Sequence, residues 1–262
     1  MPTVRYITSD LAAEHIDLDV VLGSLEAEQW ALDTPSPGWT VGDQIGHLGY
    51  FDRTAALAIM DPEGFQASSR SLLEAMAAGH DTTLDETRTM PPAVLLSWWR
   101  DGRATLVEAA GTLAETARVP WYGPEMSGKS FLTARLMETW AHGQDVADTL
   151  GITRAPTDRL RHIAQLGFIT RGWAYAIRRM DQADAPILVT LAAPSGDTWT
   201  WGDEGAPDRV SGPAESFCQV VTQRRHVDDT ELAIVGDRAM EWMTVAQAFA
   251  GGATNGPPPG SF

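Results

Sequence analysis

From Ser9 to about Leu32 the apolar residues Leu11, Ile16, Leu18, Val21, Leu22, Leu25 and Trp30 return roughly at helical spacing. Ser9 or Asp10 stands where a cap belongs, so the pattern predicts a first long helix. The run TPSPG breaks it. Thr40 then opens a second helix with Asp43 three residues on, an acidic variant of the capping box. Val41, Ile45, Leu48 and Asp52 trace a side of that helix partly given to the core, and His47 lies near it. The segment from Asp61 to Met90 is more polar and predicts a crossover with one short helix around Ser69 to Ala78. Pro91 and Pro92 suit the first turn of a third long helix through LLSWWRDGRATLVEAAGTLAETA, because proline there forfeits no needed amide bond. After the loop VPWYGPEMSG a fourth runs from about Ser130 to Leu150 and stops at Gly151.

Long helices with a long connection between the second and third predict an antiparallel four-helix bundle, whose interior can hold a metal between facing helices. Past ITRAPTD the texture changes. A helix from about Asp158 to Arg179 leads into PILVTLAAPSGDTWTWGDEG, where β-rich runs flank the turn signal PSGD and predict a hairpin. RVSG is a candidate short strand, PAESFCQVVTQRR and DRAMEWMTVAQAFA predict helices, and GGATNGPPPGSF is flexible by composition. The expected class is α+β: an all-α domain over 1–153, a smaller α+β domain over 154–252 and a flexible tail over 253–262.

A chain of 262 residues, 44% hydrophobic, is long enough for two modest cores. Its net charge, 19 minus 35 or -16, comes with no basic cluster, so a phosphate backbone or an anionic membrane would be repelled. No nucleic acid and no membrane are expected as partners, and the protein is expected as a monomer or homodimer. The single cysteine, Cys218, rules out an internal disulfide and agrees with a reducing cytosol. The start lacks the basic-then-apolar order of a signal peptide, and no run of 18 apolar residues occurs, so a soluble cytoplasmic protein is expected.

The stretch RLMETWAHGQDVAD places Glu138 and His142 four residues apart on the fourth helix, which stacks both side chains on one face. Taken alone, such a pair is more often a solvated or salt-bridged one than a ligand set. The companion histidine His47 on the second helix reverses that. A His, Glu, His set suits zinc, nickel or iron and leaves a coordination position for water or substrate. Asp145, three residues after His142, is placed either to hold the imidazole or simply to be solvated, and Asp43 has the same choice beside its capping task. His15, His80, His162 and His226 stand outside any ligand spacing. Cys218 beside Phe217 fits a buried apolar role. Trp98, Trp99, Trp140 and Trp173 fit helix interfaces, while Trp199 and Trp201 fit either the hairpin or the wall of a pocket.

GPEMSGKS over 123–130 is a formal match to the phosphate-binding loop. That loop works after a buried parallel strand, and here Val119, Pro120 and Trp121 precede it while Glu125 would repel phosphates, so nucleotide binding is rejected.

GWTVGDQIGHL followed far downstream by METWAHGQDVADTLG resembles the DinB-like metal-binding superfamily, and within it the mycothiol-dependent maleylpyruvate isomerase group. The second half resembles the C-terminal domain these proteins carry, related in shape to sterol carrier proteins. The resemblance implies a four-helix bundle holding a divalent metal, most often Zn2+ with Ni2+ or Fe2+ as alternatives, through His47, Glu138 and His142. The glutamate at 138 marks the maleylpyruvate isomerase branch. It also implies mycothiol as a low-molecular-weight thiol cosubstrate and an arginine acting on the substrate. In FCQVVTQRR, Arg224 is a better match for that arginine than Arg225. Trp121 and Lys129, in the loop and helix start, are candidate contacts for the thiol.

A neutral thiol is a poor nucleophile near pH 7, but a divalent cation holds it as thiolate. In an isomerase the thiolate adds to a conjugated double bond, the new single bond rotates, and expulsion of the thiol returns the trans product; in a transferase the addition stands. The expected function is a metal-dependent, mycothiol-using isomerase or S-transferase acting on a small electrophilic, unsaturated carboxylate-like substrate. Many isomerase-like relatives have reactions that are not established, so the branch does not fix the substrate. Two alternatives remain beside it. One is a thiol-independent isomerase, cyclase or lyase of a biosynthetic pathway, using the metal as Lewis acid. The other is a non-enzymatic carrier or sensor whose C-terminal domain binds an apolar ligand and whose metal is structural or regulatory, a reading that four protein ligands and no exchangeable water would favour.

Overall fold

The computed structural model describes residues 2–182 and 185–262, and the chain divides into two compact units, Met1–Thr153 and Arg154–Phe262. In the first unit, α1 (Val4–Leu22) starts earlier than the pattern predicts because Thr3, not Ser9, caps it, accepting from the Tyr6 amide. It also ends earlier, at Gly23. Trp30 is buried from a separate 3-10 turn over Ala27–Ala31. α2 (Val41–Met60) opens on a formed capping box. The Thr40 hydroxyl accepts from the Asp43 amide at 3.2 Å, and the Asp43 carboxylate accepts from the Thr40 amide at 3.0 Å. α3 (Pro62–Ala77) is longer than expected, since Asp61 caps it through the Gly64 amide and Pro62 suits its first turn. α4 (Pro92–Ala110) begins at the paired prolines.

β1 (Arg118–Val119) and β2 (Met126–Ser127) form a two-residue antiparallel ladder that leads straight into α5 (Gly128–Leu150). GPEMSGKS therefore follows no buried parallel strand. α5 is capped by Ser127 and stopped by Gly151 at φ 65, a left-handed conformation that glycine reaches without a Cβ clash.

α2 packs against α4, α5 and α3, and α1 packs against α5 and α4. Leu18, Leu22, Val41, Ile45, Leu48, Leu95, Trp99 and Val146 make one buried cluster among the long helices. The approach of α2 to α4 depends on Gly49, where an added Cβ would lie 2.3 Å from Cζ3 of Trp98. That indole is itself fixed, since the Arg53 guanidinium lies 4.5 Å from its ring centre and donates to the Trp98 carbonyl at 2.8 Å. Gly49→Ala is expected to destabilise by about 1–3 kcal/mol from overpacking, although helix propensity alone favours alanine by about 1 kcal/mol. Chemical denaturation reads the sign. A stabilised variant would mean that the indole yields freely.

In the second unit the helix expected over Asp158 to Arg179 is divided into α6 (Leu160–Ile169) and α7 (Arg171–Ile177). The break is at Thr170, whose backbone lies at φ -86 and ψ 6, outside the helical region. β3 (Ile187–Ala192) and β4 (Thr198–Trp201) form the hairpin, with Leu191 opposite Trp199. β5 (Asp208–Pro213) runs parallel to β3, α8 (Ala214–Val221) follows it, and β6 (Ala233–Val235), which the pattern did not predict, pairs antiparallel with β5. The sheet order is β4-β3-β5-β6.

Asp208 on β5 accepts from the Arg238 and Ala239 amides at 2.9 and 3.0 Å and so caps α9 (Asp237–Val245). Cys218 is buried in α8, where burial pushes its thiol well above the usual range. Residues 253–262, expected as a tail, are tied to this unit by the Thr254 hydroxyl on Gln223 at 2.7 Å and the Gly260 amide on Asp229 at 2.8 Å. No helix among the described residues is long and apolar enough to cross a membrane.

Candidate metal centre

Because α2 and α5 lie side by side, His47 on the first meets Glu138 and His142 on the second. One ligand atom from each lies within 4.8 Å of the other two. His47 Nε2 is 3.9 Å, and His142 Nε2 3.2 Å, from Oε2 of Glu138. Side-chain exposures of 18%, 22% and 10% for His47, Glu138 and His142 leave the cluster within reach of a small ligand.

Burial, followed by the nearby His142, pushes the His47 imidazole down to about 4, against the pull of Glu138. It is therefore neutral at pH 7, as a ligand must be. For Glu138 burial alone would raise the carboxyl, but hydrogen bonds and charge from His142 and His47 outweigh it and hold the group well below the usual carboxylate range. A carboxylate flanked by imidazole nitrogens, gathered so closely, is a donor set that fits a zinc-like divalent cation.

The His47 shift has a consequence for the metal-free protein. The unfolded chain takes up the proton near 6.5 and the folded chain only near 4. The stability His47 contributes is present above pH 6.5 and is withdrawn as pH falls toward 4. Denaturant midpoints measured down that range should fall more steeply for the parent than for His47→Asn. Parallel curves would contradict the assignment.

The sequence offered Asp145 to hold His142, but its carboxylate oxygen is 3.9 Å from Nδ1 and accepts instead from the Ser36 hydroxyl at 3.1 Å. The partner of His142 Nδ1 is the Gln44 side-chain oxygen. Gln44 is fully buried, and its amide nitrogen donates to the Thr34 hydroxyl at 2.8 Å. The available signal was spacing, since Gln44 precedes His47 by three residues and shares its face of α2. Asp43 caps α2 and pairs with Arg88 at 2.8 Å.

Aromatic rings cover the cluster. Trp39 lies nearly parallel to the His142 ring at 5.9 Å and 5.0 Å from that of His47, and Phe51 lies 4.6 Å from His47. Of the residues expected near a thiol, Trp121 stands one ring further out, 6.2 Å from Phe51 and stacked on Phe65. Lys129 is not brought to the cluster. It pairs with Glu115 at 2.8 Å and sits nine residues before Glu138, about 13 Å along the helix axis.

Beside the cluster, Asp52 is fully buried between Arg135, at 2.8 Å, and His15, at 3.4 Å. The Arg135 charge and His15 outweigh burial and hold its carboxyl below the usual range.

Arg224 belongs to the second unit. The positive φ of Gln223, 59°, ends α8 there, and the Arg224 guanidinium donates to the Thr222 carbonyl at 2.7 Å. The neighbouring Arg225 lies 3.8 Å above the ring of Phe262.

Residues 11–147 match the family model described as the mycothiol maleylpyruvate isomerase N-terminal domain. Two proteins from strains of Mycobacterium tuberculosis, both described as uncharacterized, are 46% identical over 243 residues, 93% of this chain and 95% of theirs. Among solved structures, the mycothiol-dependent maleylpyruvate isomerase superposes with a TM-score of 0.56 at 16% identity, over 86% of this chain and 90% of that one. A histidine-to-alanine mutant of the same enzyme gives the same values, and at that identity the likeness is one of fold.

Proposed function

The chain belongs to the mycothiol maleylpyruvate isomerase family, and from that premise we propose that it is a divalent-metal-dependent, mycothiol-using isomerase or S-transferase for a small electrophilic, unsaturated carboxylate. In this reading the first unit is a DinB-like four-helix bundle, and the second is a sterol-carrier-like domain that carries Arg224. The observation that carries the proposal is the convergence of His47, Glu138 and His142 within 4.8 Å.

A divalent cation held by those side chains, zinc in the first instance, would supply a thiol as thiolate near neutral pH. The remaining work falls to the chain. Glu138, ionised well below neutrality, provides the negative charge, and His47 and His142 provide nitrogens from two rigid helices with little freedom left to lose. Trp39 and Phe51 restrict water around the imidazoles, which favours attack on an electrophile over its hydration. The guanidinium of Arg224 would bind the substrate carboxylate through paired N–H donors.

The test is turnover of maleylpyruvate and related cis-unsaturated acids by the zinc-loaded protein, with and without mycothiol. Conversion only when mycothiol is present is expected, and equal conversion without it would remove the thiol from the account. Arg224→Ala should raise KM for the acid about 10-fold or more, since each charge-assisted hydrogen bond it removes is worth roughly 1.5–3 kcal/mol. Arg225→Ala should stay near the parent. The reverse order would transfer the role to Arg225.

A further inference from the structure

We propose that Gln44 is a positioning residue that fixes the tautomer of His142, with Nδ1 protonated and Nε2 left as the ligating atom. This rests on the metal reading above but makes a claim of its own about the metal-free protein. The Thr34 hydroxyl donates to the Trp39 carbonyl at 2.9 Å and so receives the Gln44 amide nitrogen, at 2.8 Å, on a lone pair. With its amino group committed there, Gln44 turns its oxygen to His142 Nδ1, and an oxygen can only accept.

Nε2 faces the Glu138 carboxylate at 3.2 Å. A proton on Nε2 bridges that pair in the metal-free protein, and a cation bound between them takes its place and uses the Nε2 lone pair. Gln44 is 0% exposed, so water cannot take over its task. Without its oxygen nothing holds a proton on Nδ1, the neutral ring is free to keep its one proton on Nε2 against Glu138, and each incoming cation must then compete with that tautomer.

Nothing in GDQIGH reveals the relay, because its far end is the loop between the 3-10 turn and α2. There Asp33 pairs with Thr40 in an isolated bridge, the Thr34 amide donates to the Trp39 carbonyl at 2.8 Å, and the Ser36 hydroxyl reaches Asp145 on α5. The same loop holds the Trp39 indole against His142.

The experiment joins nitrogen-15 NMR of the parent's His142 ring, metal-free at about pH 8, with competition titrations of zinc. The parent should show a proton on Nδ1, hydrogen-bonded to the Gln44 oxygen. Gln44→Leu should bind zinc about 10- to 100-fold more weakly, while Gln44→Glu, which keeps an acceptor toward Nδ1, should stay within a few-fold of the parent. Thr34→Val leaves Gln44 in place but releases its amide, and should weaken zinc several-fold; a purely space-filling Gln44 would leave this variant unchanged. An Nδ1 without a proton in the metal-free parent overturns the proposal, as does a folded Gln44→Leu with parental affinity. Should Gln44→Leu fail to fold, the parent's tautomer and Thr34→Val decide. Should the parent take up no zinc, the functional reading falls, and the tautomer still decides the role of Gln44.

Discussion

Glu138→Gln is expected to weaken zinc binding by more than 100-fold, beyond the roughly 10- to 100-fold that loss of a supporting hydrogen bond costs at a metal site. The substitution keeps the size of the side chain and removes its charge. Glu138 is the anionic member of the cluster, held ionised by the two imidazoles beside it. An amide offers one carbonyl oxygen in its place, and its amino group would turn donors toward nitrogens that must themselves act as donors to the cation. Thiol-dependent turnover should fall with the metal. A Glu138→Gln protein that holds zinc as tightly as the parent would remove this carboxylate from the ligand set.

Asp52→Ala is expected to destabilise by about 3–5 kcal/mol, the usual cost of leaving a buried charge without its partner. Asp52 is 0% exposed and Arg135 4%, so neither is relieved by solvent. The loss is felt across α1, α2 and α5, because His15, Asp52 and Arg135 each come from a different one. Urea denaturation of the metal-free protein isolates the effect from metal binding. The double variant Asp52→Leu with Arg135→Met should recover most of the loss, since an apolar pair of similar volume removes the desolvation penalty along with the attraction. A double variant no more stable than Asp52→Ala would place the cost in packing rather than charge.

The convergence of His47, Glu138 and His142 was legible in the sequence because each half of it is local. Glu138 and His142 are set by i,i+4 spacing within a single well-capped helix, and His47 by its place on another that opens on the Thr40 and Asp43 box. What supports the trio was not legible. Gln44 reads as one more polar position on an amphipathic helix until the preceding loop folds back to bring Thr34 against it. Asp145 had the right spacing for His142 and was drawn off by Ser36, a partner 109 residues away in the chain.

Lys129 failed to reach the cluster for a simple geometric reason. Nine residues of helix separate it from Glu138, while Glu115 lies within ion-pairing distance. In the second unit the hairpin followed from its turn signal. The parallel pairing of β5 with β3 depends on a non-local register, Ile187 with Asp208, that no periodicity encodes. The division of α6 from α7 falls at Thr170, where the backbone leaves the helical region at a residue that is neither proline nor glycine.

Anomalous diffraction at the zinc edge from crystals of the zinc-loaded protein measures the central claim. A single peak is expected in the first unit, at about 2.0–2.2 Å from one nitrogen each of His47 and His142 and one oxygen of Glu138, with any further ligand being water or thiol. A peak away from these side chains, or one surrounded by four protein ligands, would contradict the account.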